Sequence, residues 1–169
     1  MTDLKKQIYQ AQCIGNVEPI EYMVPYPNLR SLIDGQNIKY GEKMVYTQLG
    51  LTSDKLYRMA QQAANWFLSL GVRPGDRVMI ETLPFPESEI AALGAWTLGC
   101  SLIITGDADF DGARKAAQPK LIISNTMGWM EKIKSFSEDF DPDFKSLLED
   151  EAVVFWKNNT GIRLSHYNI

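Results

Sequence analysis

The carboxyl-terminal part of the chain carries the residues whose types and spacing could do chemistry. A strand is predicted over the apolar residues 152–156, and it leads into a polar turn that ends in a glycine. Phosphate-binding loops usually begin in this way, because the small residues let successive backbone N–H groups point at an anion. We therefore examine this turn as a candidate phosphate-binding loop. Its residues are Lys157, Asn158, Asn159, Thr160 and Gly161.

Two other sets of residues have the types of a site without its spacing. His166 is the only histidine, and with no positioned acid or nucleophile in view we expect a surface or capping role. Asp107, Asp109 and Asp111 alternate as the acids of a calcium loop do, but the glycine and distal glutamate of such a loop are not in place. We interpret these acids as turn and helix-cap residues and expect no metal site.

The elements that would position these residues alternate between helix and strand. Apolar residues recur at three- and four-residue intervals over residues 53–70, which is the period of a helix, and an apolar run follows directly. Helix and then strand recur twice more. Helices are predicted over residues 53–70, 87–98 and 111–117, and strands over 78–83, 101–106 and 120–124. Such apolar strands separated by helices predict the α/β class, with a mostly parallel sheet flanked by helices.

The remaining segments give weaker expectations. One short helix is predicted after Asn28 and one strand over residues 44–47, whereas residues 138–150 are acidic and are interpreted as a solvated linker or cap region. Arg77 is expected to stabilise a turn by pairing with its neighbour Asp76. Four aromatic residues are expected in the core rather than in a ligand platform, namely Trp66, Phe67, Trp96 and Trp129.

Composition narrows the classes of function. The net charge is −4 and no basic block interrupts it, so binding to nucleic acid or to an anionic membrane has no electrostatic support. Cys13 and Cys100 are too far apart in sequence to indicate a disulfide framework or a zinc site. The amino-terminal residues lack the apolar core of a secretory signal, and the longest charge-free run, residues 90–106, is broken by glycines. We expect a soluble cytoplasmic protein.

A succession of residues begins at the end of the first predicted helix and continues through the second strand–helix unit, namely Leu70, Gly71, Val72, Pro74, Gly75, Asp76, Arg77, Val78, Glu87, Ala92 and Gly99. With the order of elements from about residue 26 to residue 124, this succession resembles the amino-terminal subdomain of the adenylate-forming superfamily. This superfamily contains the acyl-CoA and aryl-CoA synthetases and the adenylation domains of peptide synthetases. The length of 169 residues, of which 45% are hydrophobic, predicts a single domain over residues 1–169. We divide it into an extension (1–25), a family-like core (26–137), an acidic linker (138–150) and the remnant of a phosphate-loop region (151–169).

The resemblance extends to the last residues and fails there in part. The superfamily continues with a strand, a loop of the type Tyr-Thr-Ser-Gly-Thr-Thr-Gly-x-Pro-Lys-Gly, and a Thr-His-x-Asn sequence that enters a helix. The residues that fit are Thr160, Gly161, His166 and Asn168, with residues 164–168 at the helix entrance. Bulkier residues, Trp156, Lys157 and Asn158, stand where two hydroxyls and a glycine are expected, and the Pro-Lys-Gly part is missing. The resemblance therefore implies a degenerate phosphate loop.

Three interpretations of function remain open at this point. We expect a non-catalytic relative of the acyl-activating enzymes that acts as a binding or assembly subunit, with no cofactor of its own. The alternative is one chain of a split acyl or aryl acid CoA ligase, for which the resemblance implies ATP or AMP and Mg²⁺ bound with a partner chain. A fragment of a longer protein is the third. We also expect a homo-oligomer or a hetero-complex, with Phe155 and Trp156 in the interface.

Overall fold

The computed structural model of the protein describes residues 26–169. The predicted extension over residues 1–25, and Cys13 with it, lies outside the described residues. Helices of the described part are α1 (Leu29–Tyr40), α2 (Ser53–Ser69), α3 (Glu87–Leu98), α4 (Phe110–Ala117) and α5 (Trp129–Ile133). Its strands are β1 (Met44–Tyr46), β2 (Leu51–Thr52), β3 (Arg77–Ile80), β4 (Ser101–Thr105), β5 (Leu121–Ile123), β6 (Glu151–Lys157) and β7 (Thr160–Ser165).

The main sheet has five strands in the order β5-β3-β4-β6-β7. The first four strands in that order run parallel, and β7 is antiparallel to β6. Strands β1 and β2 form a separate antiparallel pair. Helices connect the parallel strands, because parallel neighbours need a crossover. The predicted α/β class with a mostly parallel sheet is thus confirmed.

The predicted helices begin and end close to the predicted residues. Helix α2 begins at Ser53 because the Thr52 side chain accepts a hydrogen bond from the Lys55 backbone N–H at 3.2 Å. Strand β3 ends at Ile80, three residues earlier than predicted. The Glu81 N–H donates to the Ile123 carbonyl, and no ladder remains beyond that bond because β5 also ends at Ile123.

Helix α1 has 12 residues and is longer than the short helix that the sequence predicted. Asn28 begins it, since its side-chain oxygen accepts a hydrogen bond from the Ser31 N–H at 2.8 Å. The amide nitrogen of the same side chain donates to the Ser146 carbonyl, also at 2.8 Å. One buried asparagine therefore caps the helix and holds a segment that is distant in sequence.

Two apolar cores lie on opposite faces of the sheet, because successive strand residues point to opposite sides. Leu102 and Val153 belong to the first core, which α2, α3 and α5 cover. Ile103 and Val154 belong to the second and smaller core, which α4 covers. Trp66, Phe67 and Trp129 are buried in the first core as predicted, and Trp96 packs against its edge.

Residues 138–150 are not a loose linker. Phe140 is buried, and Arg30 of α1 lies over its ring while donating to its carbonyl at 2.9 Å. Ser146 is buried against Asn28. The solvated-linker interpretation was wrong for these positions, because it counted the exposed acids of the segment and overlooked its aromatic side chains. No helix among residues 26–169 is long and apolar enough to cross a membrane.

Candidate functional site

The candidate phosphate loop is the tight turn of a β-hairpin. Lys157 pairs with Thr160 across β6 and β7, which leaves only Asn158 and Asn159 in the loop. Both asparagines have positive φ, 51° and 58°. Two-residue hairpin loops of type I′ need this conformation at both positions, and asparagine tolerates it better than most residues. The backbone here follows the geometry of a hairpin turn.

The turn packs against the start of α4 through an acidic residue. The Asn158 N–H donates to a carboxylate oxygen of Asp109 at 3.1 Å. The Asn159 side-chain oxygen lies beside Gly112, where an added Cβ would approach it to 3.1 Å. An amide that could face an anion is therefore already bound to a carboxylate, which would also repel a phosphate.

Gly161 faces the ring of Trp156, its partner across the hairpin. A Cβ built on Gly161 would lie 2.8 Å from a carbon of the indole ring, so that side chains other than hydrogen would displace the tryptophan. Glycine is required here by the ring. Lys157 and Thr160 are exposed, and the Thr160 hydroxyl donates to the Asn158 carbonyl at 3.5 Å. Nucleotide binding by Lys157, Asn158, Asn159, Thr160 and Gly161 stays a prediction.

Phe155 and Trp156, the predicted interface residues, lie on opposite faces of the sheet. Trp156 packs against the second core beside α4 and is partly buried within the chain. Phe155 is exposed and lies between Ile104 of β4 and Ile162 of β7 in the register of the sheet. Only Phe155 of the two presents a largely free apolar surface.

His166 is buried and serves as a cap for a distant helix. Its ring nitrogen Nδ1 accepts a hydrogen bond from the Leu29 N–H at 3.2 Å, in the first turn of α1. Burial lowers the pKa of His166, against the opposing effect of Asp150. The predicted capping role agrees with this contact, whereas the surface alternative does not. The residues after β7 form a single 3-10 turn, His166–Asn168.

Arg77 does not pair with Asp76, and that prediction was wrong. Its guanidinium makes two hydrogen bonds of 2.7 Å to the carboxylate of Glu151 on β6, and Arg163 binds the same carboxylate. Asp76 accepts instead from the Arg73 N–H at 2.8 Å, within the turn before β3. Burial raises the pKa of Glu151, but hydrogen bonds led by those from Arg77 lower it to about 2. The three charged residues therefore link β3, β6 and β7. Arg77 and Asp76 are adjacent in sequence, but their side chains have different partners.

The three alternating acids have structural partners. Asp109 lies at the amino end of α4, but its side chain makes no capping hydrogen bond there, so the predicted helix-cap contact is absent at this residue. The Thr82 hydroxyl donates to Asp107, the Asn158 N–H donates to Asp109, and Asp111 forms an ion pair with Arg114. Within residues 26–169 no group of three or more acidic, histidine or cysteine side chains could hold a metal ion. Cys100 is a free buried thiol whose pKa is raised to about 12 by burial and by Asp76.

A groove at the carboxyl ends of β3 and β4 was missed by the sequence analysis. Its volume is about 590 Å³ and its lining is mostly apolar. We call it the carboxyl-edge groove, and define it by Tyr46, Ile80, Leu83, Leu93, Trp96 and Ile104. Ligands of open α/β sheets bind at this edge of the sheet. The apolar run SLIIT indicated that the end of β4 carries apolar side chains. The sequence did not show that α3 leaves this end of the strand uncovered.

Comparisons with known proteins extend this description. No family model and no curated protein sequence matches the chain. Solved structures do: an anthranilate CoA ligase in complex with anthranoyl-AMP has a TM-score of 0.72 at 15% identity, over 89% of this chain and 36% of that one. A benzoate CoA ligase from Burkholderia xenovorans gives 0.71 at 17% identity, over 83% and 35%.

A third structure is an artificially fused adenylation and PCP di-domain from Klebsiella oxytoca, with a TM-score of 0.72 at 14% identity, over 83% of this chain and 30% of that one. The chain thus spans about a third of the length of these proteins. At these identities the likeness establishes the fold. The protein has the α/β fold of the amino-terminal subdomain of adenylate-forming enzymes, as the resemblance implied.

Proposed function

We propose that this protein is an adenylate-forming-ligase-like subdomain that does not bind nucleotide or activate acids by itself, and that it acts as a binding or assembly subunit. One observation carries the proposal. The Asn158 N–H, at the tip of the candidate phosphate loop, is bound to the Asp109 carboxylate. Phosphate cradles need free N–H groups and no competing negative charge.

A second observation supports the same conclusion. Gly161, which fits the glycine pattern of the superfamily loop, lies against the Trp156 ring. Asp107 adds a second exposed carboxylate close to this edge of the sheet. The residues that resemble a phosphate loop therefore serve the packing of the hairpin, and the local charge disfavours a triphosphate.

The test is calorimetry of the full chain with ATP and Mg²⁺, together with pyrophosphate release over short, long and aromatic acids. We expect no binding heat and no release above background. Lys157→Ala removes the one exposed cation of the loop, and Lys145→Ala is the matched control because Lys145 is an exposed lysine of residues 138–150. ATP binding that Lys157→Ala weakens and Lys145→Ala does not would overturn the non-catalytic proposal.

The alternative is one chain of a split ligase whose other chain carries the nucleotide and acyl sites, with ATP or AMP and Mg²⁺ bound in the complex. The exposed apolar side chains of Ile104, Phe155 and Ile162 favour it, because another chain could cover them. Pyrophosphate release that appears only when a purified partner chain is added would support this alternative.

A further inference from the structure

We infer that the carboxyl-edge groove, together with the strands beside it, binds a basic amphipathic helix of a partner protein. The inference rests on the proposed binding role and names the partner by its chemistry. Four apolar side chains form a row across neighbouring strands at this edge. They are Ile80 on β3, Ile104 on β4, Phe155 on β6 and Ile162 on β7.

The members of this row point to the same face of the sheet. Ile104 pairs with Phe155, and Phe155 pairs with Ile162, so that all three share one side. It is the face of the first core, since Leu102 and Val153 lie two residues before Ile104 and Phe155. The helices of that core stop short of the row: Ile104 is 39% exposed, Phe155 43% and Ile162 60%.

The dimensions of the row fit a helix that crosses the strands. Four strands at about 4.8 Å spacing carry it over roughly 14 Å. An α-helix rises about 5.4 Å per turn, so its side chains at three- and four-residue intervals repeat at nearly the spacing of the strands. Fewer than three turns would cover the row. Tyr46, which lines the groove, packs edge-on against Phe85 with the ring centroids 4.5 Å apart, and Phe85 is itself 52% exposed.

The charge around the groove selects the chemistry of the partner. Glu89 lines it, and Glu87 lies in the same turn of α3. Glu81 follows Ile80 directly, so it points towards the other face of the sheet, where it lines a neighbouring hollow together with Asp107. Asp107 binds Thr82, another lining residue. None of these four acids forms an ion pair with another residue of the described range 26–169. Lys157 lies on the same face as Phe155 at the hairpin end, whereas Glu89 lies at the α3 end, so the α3 end of the groove is acidic.

A helix with an apolar stripe flanked by lysine or arginine satisfies both features. Its apolar side chains would cover Ile104, Phe155 and Ile162, and its cations would lie over the acids at the α3 end. Complementary charge of this kind sets orientation and the rate of association, while the buried apolar contacts supply most of the affinity. Helix-in-groove recognition uses this combination.

The experiment is fluorescence anisotropy of the full chain with a labelled synthetic helix of leucine and lysine, compared with a leucine and glutamate peptide of the same length and pattern. We expect the lysine peptide to bind, with an affinity that falls as salt rises, and the glutamate peptide to bind far more weakly. Equal binding of both peptides would overturn the charge argument, and no binding of the lysine peptide would overturn the inference.

Variants locate the binding surface. Ile162→Glu should weaken binding of the lysine peptide about tenfold or more even though it adds a negative charge, because it removes apolar contact. Leu147→Glu adds the same charge at another exposed aliphatic residue, in the loop before the amino end of β6, and should leave affinity unchanged. Ile162→Gln repeats the test without added charge. Unchanged binding by both Ile162 variants would overturn the assignment of the groove.

The acids are tested in the same way. Glu87→Gln/Glu89→Gln, at the α3 end of the groove, should weaken binding of the lysine peptide several-fold and flatten its salt dependence, whereas Glu131→Gln/Glu149→Gln, at exposed positions outside α3, should not. Self-association of the wild-type chain is a further outcome to check. If the Ile162→Glu variant is then monomeric and binds the peptide, the surface belongs to a second copy of the chain and the inference is overturned. ATP binding would overturn the non-catalytic proposal alone, so the two failures are distinguishable.

Discussion

His166 is held by the backbone of a helix that lies far away in sequence, and this contact depends on the protonation state of its imidazole. Nδ1 must be unprotonated to accept the hydrogen bond from Leu29. Burial lowers the pKa of the ring, so the folded state favours the neutral form. Protonation would replace the acceptor with a second donor, facing an N–H group.

The first prediction is therefore a loss of stability in mild acid. The contribution of His166 is complete above its unfolded pKa of about 6.5, and it is lost as pH falls through that value towards the lowered pKa of the folded state. Urea unfolding at about pH 7.5 and about pH 5 measures the change. His166 is the only histidine of the chain, so few other groups titrate in this interval.

The control is His166→Asn, whose side-chain oxygen can accept the same hydrogen bond without titrating. We expect this variant to be less stable at neutral pH and to lose less of its remaining stability on acidification. Equal acid sensitivity of the wild type and the variant would contradict the role assigned to the imidazole.

Single residues also show why the candidate site could be only partly predicted. The sequence analysis assigned Gly161 to a candidate phosphate loop, but an anion cradle and a ring placed across a hairpin both need a glycine. The pairing of Trp156 with Gly161 distinguishes the two, and it depends on the register of β6 and β7. Arg77 is similar: its charge indicated a pair, but the partner Glu151 lies 74 residues away.

At the scale of elements, the hairpin of β6 and β7 depends on the conformation of its two-residue turn. Asn158 and Asn159 both adopt positive φ. This conformation costs roughly 1–2 kcal/mol in most residues with a Cβ, whereas asparagine and aspartate tolerate it better. Asn-Gly is the commonest sequence for such a turn.

The second prediction follows from this preference. Asn159→Gly should stabilise the protein by up to about 1 kcal/mol, and Asn158→Ala/Asn159→Ala should destabilise it by about 2 kcal/mol. Thermal unfolding of both variants measures these changes. Asn125→Ala is the matched control, because Asn125 lies in a 3-10 turn without positive φ and should change stability little. A stabilising double alanine variant would contradict the turn geometry.

The elements with a strong period were predictable, and the short ones were not. Helix α3 begins and ends at the predicted residues, Glu87 and Leu98. Its end was predictable because Gly99, which follows Leu98, ends the helix with a positive φ. Strand β7 was not predicted, because the superfamily pattern assigned Thr160 and Gly161 to a phosphate loop and residues 164–168 to a helix entrance. The alternation of Ile162 and Leu164 with polar residues is too short to outweigh that pattern. The short helix α5 was missed because its five residues are too few to show a period.

For the whole molecule, the last strands are central to the fold although they come at the end of the chain. Strand β6 lies between β4 and β7 in the sheet, and the buried side chains of Val153 and Val154 enter the first and the second core respectively. Glu151 binds Arg77 of β3, and His166 binds the first turn of α1. The hairpin therefore joins both cores and both ends of the described chain.

The final prediction is that deletion of residues 151–169 abolishes cooperative folding of the whole chain. The deletion would expose the β4 edge, open both cores where Val153 and Val154 are buried, and leave Arg77 without its carboxylate, each a large loss against a net stability of about 5–15 kcal/mol. Deletion of residues 167–169 is the control, since it keeps His166 and removes the exposed Tyr167 and Ile169. Circular dichroism and urea unfolding should show a cooperative transition for the control alone. A transition of normal steepness in the longer deletion would mean that residues 26–150 fold independently, and that the hairpin is an appendage of a self-sufficient domain.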